Sequence, residues 1–348
     1  MVQVSKAGEG KNFFPTGILL FLLVLVLIFL DLLTGSMKLG IPELFSKLLI
    51  ENDNSVEWLS LHEFRIPRLV TSLIAGIGLS ISGLQMQTVF RNPLAGPYVL
   101  GISAGAGLGV ALLVLGLPGL FTYSVMGTGS SFLLIIAACI GAASVLFLML
   151  ILSFRIRNVM TILILGIMLA SGISAIISIL QYFSQESALK AFVIWTLGSL
   201  SGVTSAQLPY MLIGFIPGII IAIFIIKPSN AMMLGENYAR SIGVKIVSYR
   251  ILLFTSTALL TGTVTAFCGP IGFVGIAVPH LARMITGTSR FGVLLFFSIL
   301  TGASIMLISD ILSQLPGSDL ILPINAVTSL IGIPVVIWIV TGRKNIYT

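Results

Sequence analysis

The sequence predicts an all-α integral membrane protein, a bundle of ten transmembrane helices with one short re-entrant or interfacial helix. Three observations carry that expectation. Hydrophobic residues fill 57% of the 348 positions and charged residues only 8%, whereas a soluble domain carries roughly a quarter charged residues. The mean hydropathy is +1.14. The apolar runs are continuous and about a bilayer long, not alternating with period two. That selects helices over a membrane barrel, because backbone polar groups inside lipid must bond within a helix or a closed sheet.

The first span covers Thr16 to Leu33. Lys6 and Lys11 precede it as they would a signal peptide, but the apolar run is long and no small-residue cleavage pattern follows, so a retained helix is expected. Residues 34–64 read as a polar outer loop with Glu43, Glu51, Asp53, Glu57 and Glu63. The second span runs from Ile66 to Phe90 and ends at Arg91-Asn92-Pro93-Leu94-Ala95-Gly96-Pro97. Further spans cover Tyr98 to Leu115, Ser131 to Phe154 and Val159 to Phe183. The apolar segment Ala191 to Leu200 is too short to cross. A sixth span covers Ala206 to Ile226, and 227–250 is polar and helix-compatible. The last four spans are Ile251 to Cys268, Val274 to Ile285, Val293 to Leu312 and Pro323 to Val340.

Ten spans put both termini on one side. With the termini cytoplasmic, most of the 18 Lys and Arg fall inside, including Arg91, Arg155, Arg157, Lys227, Arg240, Lys245, Arg250, Arg283, Arg290, Arg343 and Lys344. Lys38, Lys47, Arg65, Arg68 and Lys190 fall outside, and of the acids only Glu9 and Glu236 fall inside. This segregation follows the positive-inside rule. The net charge of +7 is therefore a topology signal: the cations are scattered through short loops and make no nucleic-acid-binding face.

Small residues mark close helix packing. Gly101, Gly105 and Gly109 share one face of the third helix, and Gly76, Ser80, Gly83 and Gln87 line the second. The breaks at Asn92-Pro93 and at Gly269-Pro270 through Pro279 each follow a Gly- and Ser/Thr-rich helix, a weak echo of the paired broken helices of transporters.

Catalytic motifs are missing. No G-x-x-x-x-G-K-[ST] loop occurs, so the chain cannot hydrolyse ATP through a Walker motif, and any pump energy must come from a partner or an ion gradient. Cys139 and Cys268 lie in apolar runs and His62 and His280 stand apart, so no metal site is readable. Asp31 and Asp310 lie near the outer ends of their helices, away from the midplane where ion-coupled carriers place acids. An ion-coupled secondary transporter or channel is the main rival reading, and it leaves 227–250 unexplained. An intramembrane enzyme would need polar groups gathered at one depth, and none are evident. Within 227–250, Met233, Leu234, Tyr238 and Ile242 space roughly as one helical face, with Gly235 and Gly243 as ends. Such a helix suits either a partner's groove or the membrane surface.

Four stretches resemble the FecCD-type permeases of ABC importers for iron-siderophores, haem and cobalamin. They are Arg65-Ile66-Pro67-Arg68 through Arg91-Asn92-Pro93-Leu94-Ala95 to Leu100-Gly101-Ile102-Ser103-Ala104-Gly105-Ala106; Trp195-Thr196-Leu197-Gly198-Ser199-Leu200-Ser201-Gly202; Gly235 to Val244; and Gly269-Pro270-Ile271-Gly272-Phe273-Val274-Gly275 with Val278-Pro279-His280-Leu281-Ala282-Arg283. Leu322-Pro323 and Gly332-Ile333-Pro334 close the pattern. The resemblance implies one permease domain over 1–348, with 1–15 a cytoplasmic tail, 34–64 an outer loop and 227–250 a cytoplasmic coupling loop. It implies a multi-pass protein of the bacterial inner membrane and a homodimer on two ATPase subunits, fed by an extracytoplasmic substrate-binding protein. ATP and magnesium would be bound by the ATPase, with no cofactor on this chain.

The implied ATPase-coupling residues are Leu234, Gly235, Glu236, Asn237, Tyr238, Ala239, Arg240, Ser241 and Gly243. Arg65 and Arg68 would meet acids of the binding protein. Trp195, Gly198, Ser199 and Leu200, with the fifth and tenth helices, would line the pathway. A third outer arginine of the family is replaced here by Gln314, and His280 would be a packing or capping residue. Iron chelates are the leading cargo, with haem and cobalamin beside them.

Overall fold

The computed structural model describes residues 13–35, 40–49, 55–116, 130–156, 158–315 and 321–341. Lys6, Glu9, Lys11, Lys38, Glu51, Asp53, Arg157, Arg343 and Lys344 of the topology argument lie outside the described residues. The described chain is helical throughout, with no strand. Its helices are α1 Phe14–Leu33, α2 Ile41–Leu49, α3 Val56–Leu59, α4 Ile66–Phe90, α5 Ile102–Ala111, α6 Ser130–Arg155, α7 Val159–Phe183 and α8 Glu186–Thr196. The remainder are α9 Leu208–Phe224, α10 Ile226–Leu234, α11 Glu236–Ser241, α12 Ile246–Cys268, α13 Val274–Thr286, α14 Phe291–Ser313 and α15 Ile324–Thr341.

Six helices are long and apolar enough to cross a membrane, and α9 with α10, bent by 52°, makes a seventh if counted as one span. The other three expected spans coincide with the shorter apolar helices Ile102–Gly116, Val274–Thr286 and Ile324–Trp338.

Burial divides the spans in two. The window through α4 is 83% buried, that of α12 72% and that of α14 67%, against 28% for α1, 22% for α6 and 17% for α7. The first three form the centre, and the apolar faces of the others are left for lipid or a partner. In lipid the hydrophobic effect does not drive helices together, so close backbone approach must do that work. A Cβ on Gly76 would collide with the Gly302 carbonyl of α14, one on Gly83 with the Gly275 carbonyl of α13, and one on Gly109 with the Ala137 carbonyl of α6.

The structure corrects three expectations. The 34–64 loop contains helices. Pro42 and Glu43 start α2, whose Glu43 carboxylate accepts from the Gly40 N–H at 2.9 Å. Ser55 caps α3, accepting from Trp58 N–H at 3.3 Å, and a π-helical turn, Ser60–Arg65, joins α3 to α4. Secondly, the polar stretch after α9 yields its last residues to α12, which starts at Ile246 instead of Ile251.

Thirdly, α13 runs through Pro279, so the chain breaks only at Gly269 to Phe273. Pro279 has no N–H for the carbonyl four residues back. That carbonyl belongs to Gly275 and lies against Gly83, where only a hydrogen fits. The neighbouring Ile276 carbonyl accepts from Gln87 Nε2 at 3.0 Å, and Arg283 Nη1 donates to Gln87 Oε1 at 2.5 Å.

Candidate functional site: an apolar docking face and two converging chain breaks

At the end of the bundle where α9 bends, α10 and α11 fold into a compact projection. Gly235 (φ 135°) and Gly243 (φ 90°) bracket α11, and nothing lies within 4 Å of a Cβ built on either. Backbone conformation, not space, therefore requires glycine at both positions. The end of α11 is a Schellman cap: Gly243 N–H bonds the Arg240 carbonyl at 3.0 Å and Val244 N–H the Ala239 carbonyl at 2.9 Å.

The projection is fastened from three sides. Glu236 accepts from Arg240 Nη2 at 2.6 Å and from Arg250 Nη2 of α12 at 3.1 Å. The Arg240 hydrogen bond, with help from Arg250, holds the Glu236 carboxyl below its usual range. Arg91, in the left-handed conformation that ends α4, donates to the Met232 carbonyl at 3.1 Å. Asn92 Oδ1 accepts from Leu94 N–H at 3.0 Å, closing the turn with Pro93 that aims Arg91 there. Asn230 Oδ1 accepts from Phe291 N–H at 2.7 Å, tying α10 to the start of α14. Met232 and Ala239 are buried by these contacts, while Leu234 (68%), Ile242 (56%) and Tyr238 (48%) stay exposed. An apolar face on a segment anchored by charge is suited to docking. Asn237, Arg240 and Ser241 are exposed around it.

The second locus lies where the chain breaks after α8 and α12 meet. Gly198 and Gly269 both have φ 74°, and a Cβ on Gly269 would press on the Trp195 carbonyl at 2.5 Å. Ser199 N–H donates to the Cys268 carbonyl at 2.8 Å and Asn325 N–H to that of Leu197 at 3.3 Å. Asn325 Oδ1 accepts from Gly272 N–H at 2.9 Å. The Tyr98 hydroxyl accepts from Ile271 N–H at 3.1 Å and donates to the Ile271 carbonyl. These bonds satisfy irregular backbone, which membrane proteins tolerate only where protein or a water-filled cavity surrounds it. Ser199 is exposed, Trp195 and Pro270 are partly exposed, and Gly198 and Leu200 are buried. A buried network ties the centre together: Gln85 Nε2 donates to Ser256 Oγ at 2.8 Å, Thr257 Oγ1 to Gln85 Oε1 at 2.6 Å, and Ser256 Oγ to the Gly218 carbonyl at 2.7 Å.

Arg65 and Arg68 turn inward. Arg68 forks onto Asp310, with Nε at 2.8 and 3.0 Å from Oδ1 and Oδ2 and Nη2 at 2.6 Å from Oδ1. Its Nη2 also donates to Ser313 Oγ at 3.1 Å. Asp310 is fully buried, and the Arg68 side chain is 12% exposed. Arg65 donates through Nη1 to the Leu32 carbonyl at 2.7 Å.

Sequence reasoning named the projection but missed what holds it: Arg91, Asn230, Tyr249 (hydroxyl 3.2 Å from Ser229 Oγ) and Arg250. The Arg68–Asp310 pair did have a signal, since an acid in an apolar helix requires a partner. Among the described residues, no three His, Cys, Asp or Glu side chains gather to hold a metal ion. His280 is buried.

The family model described as the FecCD transport family matches residues 22–342. A vitamin B12 import system permease protein of Klebsiella pneumoniae is 34% identical over 295 residues, covering 83% of this chain and 86% of the relative. One of Yersinia enterocolitica is 32% identical, covering 98% of this chain and 96% of the relative. Among solved structures, one described as an inward-facing conformation of a transporter assigned to the metal-chelate ABC type superposes with TM-score 0.82. It is 28% identical and covers 95% of this chain and 99% of its own. With helices that suit a multi-pass inner-membrane protein and this match across nearly the whole length, the chain belongs to the FecCD transport family of ABC importer permeases.

Proposed function

We propose that this chain is the homodimeric membrane channel of an importer for a large metal chelate, driven through the α10–α11 projection by a separate ATPase subunit that holds ATP and magnesium. The observation that carries the reading is the exposed Leu234–Tyr238–Ile242 face, held rigid by Glu236, Arg240 and Arg250. A rigid lever transmits movement of a partner to α12 and α4; a loose loop would absorb it. The chain crosses the membrane ten times in this reading, with α5, α13 and α15 as short spans and both termini on the cytoplasmic side with the projection.

Cargo passes between two copies along α7, α15 and the Trp195–Leu200 break. Exposed Ser171, Ser174 and Ser178 on α7 support this path. Each hydroxyl donates to a carbonyl of its own helix, leaving its lone pairs outward, a wasteful surface to offer lipid. Neither α7 nor α15 carries a charged residue, so a cargo is held weakly and by hydrogen bonds. Ferric siderophore, haem and cobalamin all fit that chemistry. The vitamin B12 relatives make cobalamin the first probe.

Docking of the binding protein through Arg65 and Arg68 would have to displace the Leu32 carbonyl and Asp310 from them, so acids of the partner compete with acids already inside. The test of the coupling role is co-purification of the ATPase subunit with wild type and with Leu234→Ser/Tyr238→Ser/Ile242→Ser. Loss of the ATPase from a folded triple variant is expected. Undiminished association would end the assignment.

A further inference from the structure

A groove of about 690 Å³ runs along the first two turns of α1 against the start of α14. Phe14, Ile18 and Phe21 form one wall and Phe296 the other, all four exposed. Two glycines keep it open: Gly17 lies under Phe296, with a Cβ there only 3.3 Å from Cε1, and Gly292 lies beside Ile226. Phe14 to Phe21 extends about 10 Å along the helix axis, parallel to the direction of lipid tails.

Two cations adjoin in sequence the residues at the α14 end of this groove. Arg290 directly precedes α14 and Lys227 follows Ile226, whose Cγ2 would lie 3.2 Å from a Cβ on Gly292. Both cations are exposed, and among the described residues neither has an ion-pair partner. The Asn230–Phe291 hydrogen bond at 2.7 Å fixes α10 and α14 to each other at this end. An apolar, largely aromatic slot beside a membrane-spanning helix, with two exposed cations near one end, is complementary to one class of molecule.

We propose that the groove binds an anionic phospholipid, one acyl chain lying between α1 and α14 and the phosphate resting on Arg290 and Lys227. The site does not depend on the import cycle. Its test is native mass spectrometry of the full chain released from detergent containing equimolar phosphatidylglycerol and phosphatidylcholine of matched chains. The wild type is expected to retain phosphatidylglycerol in preference, by roughly five-fold for each cation engaged. Arg290→Gln with Lys227→Gln should bring the ratio close to one. Ile18→Trp, which fills the slot without touching the charges, should reduce both adducts. Lys245→Gln, an exposed cation away from the groove, should leave the ratio unchanged.

The proposal is overturned if the wild type shows no preference, or if Lys245→Gln lowers it as much as the double change does, which would signal diffuse surface charge. It is equally overturned if the adduct appears only after residues 1–11 are removed, which would assign the slot to the chain's own N-terminus.

Discussion

The Arg68–Asp310 pair offers the sharpest energetic test. Changing Arg68 to Met removes three hydrogen bonds to a carboxylate that is fully buried. The neighbouring Asp31 is another acid and supplies no compensating charge. Breaking a buried pair on one side costs about 3–5 kcal/mol, because a charge is left without compensation. Replacing both partners with apolar residues of similar volume is far cheaper and often neutral. The expected result in unfolding by sodium dodecyl sulfate in mixed micelles is therefore non-additive. Arg68→Met and Asp310→Leu each lose about 3–5 kcal/mol, and the double variant loses less than either, so the coupling energy exceeds the cost of a single change, about 3 kcal/mol or more. Arg68→Met as stable as wild type, or a double variant no better than either single one, would refute the account of α4 and α14 as charge-locked.

Three further outcomes follow from the same packing logic. Gly83→Ala puts a methyl into the Gly275 carbonyl, backbone against backbone, and should destabilise by about 1–3 kcal/mol or more, read as a lower thermal midpoint in detergent. Gly235→Ala meets open space but keeps an unfavourable φ of 135°; it should cost roughly 1–3 kcal/mol of local order, seen as faster hydrogen exchange in 236–243 with the global midpoint nearly unchanged. Glu236 has a folded pKa below its ordinary value. Its contribution is thus complete above about pH 4.3, the ordinary glutamate value, and is lost as pH falls through the lowered one. Exchange in 236–243, corrected for intrinsic rate, should be flat from neutral pH to about 5 and rise below about 4, and Glu236→Gln should abolish the rise.

Much of this architecture was legible in the sequence, for physical reasons that can be named. Long apolar runs located α1, α4, α6, α7, α12 and α14, since the bilayer sets a minimum length. The glycine pairs that let α4 touch α13 and α14 were visible as small residues, though their partners were not. Gly83 meets Gly275 across nearly two hundred residues, and no local spacing encodes that. The α2–α3 helices were hidden because their charges resemble a loop, while their helix starts depend on Pro42, Glu43 and Ser55. At the candidate site, the apolar positions 234, 238 and 242 could be read from helical spacing. The anchors could not, because Arg91, Asn230 and Arg250 act through carbonyls, amides and a carboxylate supplied by other helices. An acid in an apolar helix, Asp310, signalled that some cation pairs with it, but an arginine near a helix end can face water or the interior, and the Leu32 carbonyl decides it for Arg65 as Asp310 does for Arg68.

The central claim is that a partner's ATP hydrolysis is coupled to import through α10–α11. It is tested most directly by cobalamin uptake into proteoliposomes containing the permease and its ATPase subunit, with loaded binding protein outside and ATP within. The account predicts ATP-dependent uptake by wild type, loss of uptake on Tyr238→Ser with Leu234→Ser, and retention on Lys190→Ala, an exposed residue outside the projection. Uptake that follows an ion gradient without ATP, or that persists undiminished in the double variant, would contradict it.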